Sequence, residues 1–401
     1  MSAVFERLAP PFAERVEARP LHVTVAATVD EAEGVWAALE TKGGATAYQS
    51  RRFLRPWIDQ MAPALGVSPR IGLVHDAAGR AVALLPFGVT KRGPLRCVGY
   101  LGGRHSNLNL PLADPALSLS EAEAAGVLRD YAARLSPPAD ALLLLNQPRI
   151  WAGRPNPFVP ARAFPSPSAA FGGEIAATGE DAQAWLGARA SRATRKKLRA
   201  KAARLAEIGP VSARRAASEA ERREVLDTFF EHKQRRFARR GVDAGLADPH
   251  PRRFLLALAT ADGLSPALDL YALRAGSRIV AVYGGLPEGR HWHGLVNAFD
   301  DDPPVARCSP GDLLLRHVVA DLARRGVTRF DLGIGEARYK DALCDEEIAL
   351  ADAILPFTAR GRVFAAGESL RLAAKRRIKQ TPWALAALRR MQAARARSDG
   401  S

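Results

Sequence analysis

Apolar residues recur along this chain at two periods, and the changes of period mark its elements. The stretch TVDEAEGVWAALE, residues 28–40, has helical spacing with Asp30 placed to cap it. PRIGLVHD (69–76) and RAVALLPFGVT (80–90) alternate as two strands about the turn DAAGR, and PLRCVGYLG (94–102) makes a third. SLSEAEAAGVLRDYAARL (118–135) is a helix capped by Ser118 or Ser120, and DALLLLNQ (140–147) is a buried strand. The proline-rich run 148–173 then breaks all periodicity and marks the best boundary in the chain.

The second half repeats this order. Residues 180–209 read as one long helix stopped by Gly209-Pro210, and 217–241 as a second. ALDLYALRAG (267–276), SRIVAVYGGLP (277–287) and HWHGLVNAF (291–299) form a three-strand meander. GDLLLRHVVADLARRG (311–326) carries a stripe of Leu315, Val318, Val319 and Leu322, and VTRFDLG (327–333) closes the series as a strand. Arg80-Ala81-Val82-Ala83 and Arg278-Ile279-Val280-Ala281 occupy matching places. The shared order predicts two related α/β units, with two unrelated α+β domains as the alternative.

Composition narrows the class. Apolar content of 47% and charged content of 25% are those of a soluble globular protein. At 401 residues two domains are expected. No apolar run is long enough for a transmembrane helix, and the charged N-terminus reads as no secretory signal. Cys97, Cys308 and Cys344 lie far apart without CxxC spacing, which fits a reducing cytoplasm. The net charge of +16 is concentrated in two acid-free segments, 189–204 and 371–397. The rest of the chain is close to neutral. The first segment is charged all round and has no aromatic residue, unlike a nucleic-acid-binding surface. The second interleaves Trp383, Leu385, Leu388 and Met391 with Arg and Lys, as an interfacial helix on anionic lipid would. Solvated or docking helices are the plainer alternative for both.

Four stretches carry candidate chemistry. TRFDLGIGEARYKDALC (328–344) has Gly333 and Gly335 but Arg338 where a dinucleotide loop needs a small residue, and no long helix follows. Its glycines read as a tight strand exit, with Asp331, Glu336, Tyr339 and Lys340 gathered at one sheet end. Alternation puts Val327, Arg329 and Asp331 on one face. RCSPGDLLL (307–315) opens a helix with Ser309 as N-cap and Pro310 in the first position. Free N–H groups from Gly311 onward suit a phosphate, which Asp312 opposes. His291 and His293 share one strand face at a metal-ligand spacing, but no third ligand is spaced convincingly, so no metal is expected. His293 as a polar group near substrate is the other use of that face. GGRHSNLNLPL (102–112) is either a functional loop or an irregular turn.

Taken together, SRATRKKLRAKAARLAEIG, SPGDLLL and FDLGIGEARYKDALC resemble, in order and spacing, the GNAT-like acyltransferase domain of CelD/BcsL-type (BioF-like) proteins. That domain is similar to the Fem-type aminoacyltransferases of peptidoglycan. The likeness covers roughly residues 191–340 and implies a tandem α/β (α+β) fold. Its two GNAT-like units would each have a mixed, mainly antiparallel sheet flanked by helices. The expected divisions are a degenerate first unit over 1–165, a catalytic unit over 166–365 and a basic helical tail over 366–401.

The resemblance implies an acyl-CoA-dependent, most simply acetyl-CoA-dependent, N-acyltransferase. It would act on an amine or hydroxyl of a sugar or polysaccharide precursor of the cell envelope, in the cytoplasm or against the inner membrane face. Pantetheine would pair with strand 291–298, and the pyrophosphate would meet Ser309, Gly311 and Asp312. Gly333 and Gly335 belong to the same donor site. Asp331, Glu336 or His293 would act as base, Tyr339 would protonate the leaving thiolate, and Lys340 would bind an anionic group. Pro310 has no N–H to offer, so an aminoacyl-tRNA donor is the alternative, with the basic helix on RNA. A non-catalytic membrane-surface component of a polysaccharide machine is the third reading.

Overall fold

Thr28, not Asp30, caps the first long helix. Its hydroxyl accepts the Glu31 N–H, and Asp30 falls inside the first turn, where its charge suits the helix dipole. This computed structural model describes residues 21–176, 181–239, 248–260, 266–336, 340, 343–381 and 383. The first half contains β1 (His22–Ala26), α1 (Val29–Thr41), α2 (Arg51–Gln60), β2 (Val67–Pro69) and β3 (Ile71–His75). It continues through β4 (Ala81–Leu85), β5 (Phe87–Arg92), β6 (Leu95–Tyr100), β7 (Leu112–Ala113), α3 (Glu121–Ala133) and β8 (Ala141–Pro148). Ser120 caps α3 in a capping box with Glu123. Pro86 splits the expected second strand, so β4 pairs with β3 while β5 pairs with β2 and β6.

The proline-rich run is not structureless. It holds the hairpin β9 (Ile150–Trp151) and β10 (Arg154–Pro155), then β11 (Phe164–Pro165) and β12 (Ala170–Glu174). The second half continues with α4 (Ala182–Ala188), α5 (Arg192–Ala206), β13 (Val211–Arg215), α6 (Glu219–Ala238) and α7 (Pro249–Ala259). The long helix expected over 180–209 is two helices, because Ser191 stops the first and caps the second through the Thr194 N–H. The meander β14 (Asp269–Ala275), β15 (Arg278–Glu288) and β16 (His291–Phe299) follows, then α8 (Pro303–Ala306), α9 (Pro310–Arg324) and β17 (Arg329–Ile334). The described chain ends through β18 (Glu346–Ile348), β19 (Leu350–Pro356) and α10 (Ala359–Gln380).

Among the described residues the larger sheets run β1-β3-β4-β7, β11-β19-β8-β6-β5-β2 and β13-β14-β15-β16-β17-β12-β18. Strand β17 is therefore not the sheet's closing strand, since β12 and β18 extend it. The chain crosses between the two halves at β11–β12 and again at β18–β19, so each sheet is completed by a segment distant in sequence. Both halves contain one parallel pair bridged by a helix: β6–α3–β8 and β16–α9–β17. The remaining pairs are antiparallel. The architecture is mixed α/β in tandem units, as the repeated order of elements predicts.

The halves share a core. Phe53 and Trp57 of α2 belong to one buried cluster with Phe229 of α6 and Phe254 of α7. Phe53 and Phe254 meet edge to face at 5.5 Å. Each such side chain contributes about 1.5–3 kcal/mol by burial. A second cluster packs α9 through Leu314, Leu315, Val318 and Leu322 on the opposite face of the seven-stranded sheet, against Tyr271, Val280 and Trp292.

Candidate active site

The site begins where a parallel pair parts. Strands β16 and β17 are in register at His291–Arg329, Trp292–Phe330 and His293–Asp331, and the pairing ends there. Beyond it a cavity of about 160 Å³ opens, lined by Gly294–Asn297, Tyr283, Leu332, Ile334, Lys340 and Asn107. Asn107 comes from the 102–112 loop of the first half. Its Nδ2 donates to Tyr48 Oη at 2.7 Å and to the Gly294 carbonyl at 3.1 Å, and Tyr48 Oη donates to the same carbonyl at 3.0 Å. Burial pushes the Tyr48 hydroxyl well above its ordinary pKa, so it stays a neutral donor. The loop that the sequence left open between function and irregularity thus latches the first half onto the cleft.

Gly333 has φ +73°, and a Cβ there would lie 2.5 Å from Asn107 Nδ2. Both the backbone conformation and the close approach require glycine. Its N–H donates to Asp331 Oδ1 at 3.1 Å, and its carbonyl accepts from Lys340 Nζ at 2.8 Å. Gly335, at φ +98°, completes the tight strand exit. Lys340 is 3% exposed, and its Nζ stands 5.4 Å from the centre of the Phe171 ring. Burial pulls its ammonium down to about 8, against smaller opposing effects of Cys344 and Asp331. Glu336 is exposed just past Gly335. Tyr339 lies outside the described residues.

Behind the cleft, His293 Nδ1 is 2.5 Å from Asp331 Oδ2. Both side chains are buried, with exposures of 1% and 0%. Burial alone would raise the Asp331 carboxyl. The charge and hydrogen bonds of His293, together with His291, outweigh burial and hold it below the usual carboxylate range. His291 stacks on His293 at 4.2 Å between ring centres, and burial pulls its imidazole down to about 4. Trp151, from the proline-rich run, covers His291 in turn. His293 and Asp331 face this seam between the halves rather than the cleft lining.

The N-terminus of α9 differs from its expected form. Ser309 has φ 49° and caps nothing with its side chain. Its hydroxyl is instead the partner of Lys201 Nζ at 2.8 Å, and its carbonyl accepts the N–H groups of Asp312 and Leu313. Only Arg307, Cys308 and Ser309 separate α8 from α9, and Ser309 is left-handed where a side-chain cap would be extended. Gly311 is the position whose N–H remains for a ligand in the first turn, because Pro310 has none. Lys201 of α5 brings a positive charge to the same place, a role the sequence did not single out. Asp312 pairs loosely with Arg316 at 3.6 Å, which offsets its charge.

Residues 192–341 match the family described as the acetyltransferase (GNAT) domain. That stretch, from α5 to just past β17, is similar to a GNAT-like acetyltransferase domain. Solved structures agree in fold. FemX superposes with a TM-score of 0.55 at 12% identity, covering 83% of this chain and 97% of that one. A conserved protein of unknown function from Bacteroides thetaiotaomicron gives 0.51 at 12% identity, covering 83% and 99%. No curated protein matches the sequence.

Proposed function

We propose that the protein is an acyl-CoA-dependent N-acyltransferase whose donor lies between β16 and β17. Its acceptor is an amine or hydroxyl of a sugar or cell-envelope precursor. The observation that carries this reading is the parallel pair that is hydrogen-bonded over His291–His293 and then parts around the cleft. The backbone of Leu295 and Val296, beyond the last paired residues, suits the amides of a pantetheine arm, which would add to β16 as a short strand. Gly311 N–H and Lys201 at the start of α9 suit the donor's phosphates.

The acceptor attacks the thioester carbonyl and the carbon–sulfur bond breaks. Lys340, mostly protonated at neutral pH with a pKa near that of a thiol, gives its proton to the departing sulfur. Glu336, exposed at the strand exit, takes the acceptor's proton. Asp331 is a positioning residue: it holds the Gly333 turn whose carbonyl holds Lys340, and His293 fixes Asp331 in turn.

Next to the cleft lies an apolar pocket of about 350 Å³, lined by Phe229, Phe230, Phe254 and Leu255 and sharing Asn107, Leu295 and Val296 with it. It suits an acyl chain longer than acetyl. Helix α10 exposes Val363 (77%) and Leu370 (72%) at a seven-residue spacing beside Arg371, Lys375 and Arg376. An apolar stripe among cations suits the surface of an anionic membrane. Among the described residues no helix is long and apolar enough to cross one.

The test is calorimetric titration with acetyl-CoA, octanoyl-CoA and aminoacyl-tRNA at low and high salt. Saturable binding of an acyl-CoA supports the reading. Binding of tRNA alone, surviving moderate salt, would transfer the donor role to aminoacyl-tRNA and the contact to the basic face of α5.

A further inference from the structure

Acyl transfer at the cleft leaves one buried cluster without a direct part. His291 and His293 project from the same face of β16, their rings parallel to within 9°. Asp331 arrives from β17 in register with His293. Its Oδ2 is 2.5 Å from His293 Nδ1 and 3.5 Å from His291 Nε2. One ligating atom from each residue lies within 4.8 Å of the others. Trp151 closes the cluster over His291, and Tyr48 stands edge-on to His293 at 5.7 Å.

The Nε2 atom of His291 is buried, makes no hydrogen bond and faces Asp331 Oδ2. Such a buried polar atom, turned toward a buried carboxylate and the Nδ1 of His293, calls for an occupant. Two imidazole nitrogens and one carboxylate oxygen are the donor set of a borderline divalent ion such as zinc, and paired histidines two apart on a strand with a third ligand from a neighbouring element give it a facial seat.

We propose that His291, His293 and Asp331 bind one divalent transition-metal ion of the zinc class. A tetrahedral zinc site spaces its ligating atoms about 3.4 Å apart, so the 3.5 Å between His291 Nε2 and Asp331 Oδ2 already fits, while the 2.5 Å between His293 Nδ1 and Asp331 Oδ2 opens as the ion replaces their hydrogen bond. The ion joins β16 to β17 at the last residues they pair before diverging. It fixes the root of the cleft, and beneath Trp151 it ties that root to the first half of the chain. Its role is to hold geometry.

The test uses the full chain, purified without a histidine tag, stripped with chelator and titrated with cobalt(II) and then zinc. One equivalent of cobalt giving visible ligand-field absorption, discharged by zinc, is expected. Zinc should also raise the thermal midpoint of the stripped protein. Asp331→Asn and His291→Gln should each weaken cobalt binding at least tenfold, while His317→Ala, outside the cluster, should not. His291 is partly exposed, so His291→Gln carries the comparison if Asp331→Asn does not fold. Stripped wild-type protein that leaves cobalt in solution, or undiminished binding by folded His291→Gln, would overturn the proposal and leave a hydrogen-bonded His–Asp–His stack. A chain that binds acyl-CoA but not cobalt overturns this proposal alone.

Discussion

Replacing Gly333 with alanine tests how the two halves are latched at the cleft. The substitution meets two separate penalties. The φ of +73° is a left-handed conformation that costs an L-residue about 1–2 kcal/mol. The new Cβ would also fall 2.5 Å from Asn107 Nδ2, inside any real contact. The Asn107 amide must then leave Tyr48 Oη and the Gly294 carbonyl, at about 1 kcal/mol for each hydrogen bond. The sum is about 3–4 kcal/mol. Gly335→Ala is the internal control: its φ of +98° is equally unfavourable, but no atom lies within 4 Å of the added methyl. It should cost only the backbone part. Urea unfolding followed by tryptophan fluorescence reads both. In the double variant Gly333→Ala, Asn107→Ala the clash is gone, so the two effects should fall short of additivity by about 2 kcal/mol. Equal losses for Gly333→Ala and Gly335→Ala, or strict additivity in the double variant, would refute the latch.

The remaining expectations concern the reaction and the surface. Lys340 is faced by Asp331 and Cys344 and has its ammonium lowered to about 8, so its acid form is lost as pH rises through 8. The chemical step should slow above that pH, and Lys340→Met should remove that limb of the profile; an unchanged profile in the variant would separate Lys340 from the leaving group. Each methylene added to the acyl chain should tighten donor binding about fourfold until the apolar pocket is filled, by burial of about 0.8 kcal/mol per CH₂; Leu255→Trp should abolish that gain, and a flat series would show that the pocket does not take the chain. Lys201→Ala should raise the Kd for acyl-CoA severalfold and have little effect on binding of the pantetheine thioester lacking the nucleotide; equal losses for both would place the phosphates elsewhere. Val363→Glu with Leu370→Glu should release the protein from anionic vesicles in co-sedimentation, and undiminished binding would take α10 out of membrane contact.

What the sequence disclosed follows local physics. The meander β14–β16 and helix α9 announce themselves by alternation and by an apolar stripe, because their pairing partners are neighbours in the chain. Strands β12 and β19 stay hidden, because each is completed by pairing with residues far away: Gly172 with Asp331, and Ile354 with Leu143. At the site, the glycines of the strand exit and Lys340 are visible in FDLGIGEARYK. Asn107 and Tyr48 are not, because their meeting with Gly294 joins positions far apart in sequence. The third partner of His291 and His293 was already marked as a candidate catalytic residue. Only the parallel register of β16 and β17 shows that Asp331 stands beside them.

The most direct measurement is a crystal structure of the protein with a non-reactive thioether analogue of octanoyl-CoA. The pantetheine arm should lie between β16 and β17 with its amides on the backbone of Leu295 and Val296, the sulfur near Lys340 Nζ and the acyl chain among Phe229, Phe254 and Leu255. A donor bound anywhere else, with the opening between the two strands empty, would contradict the assignment.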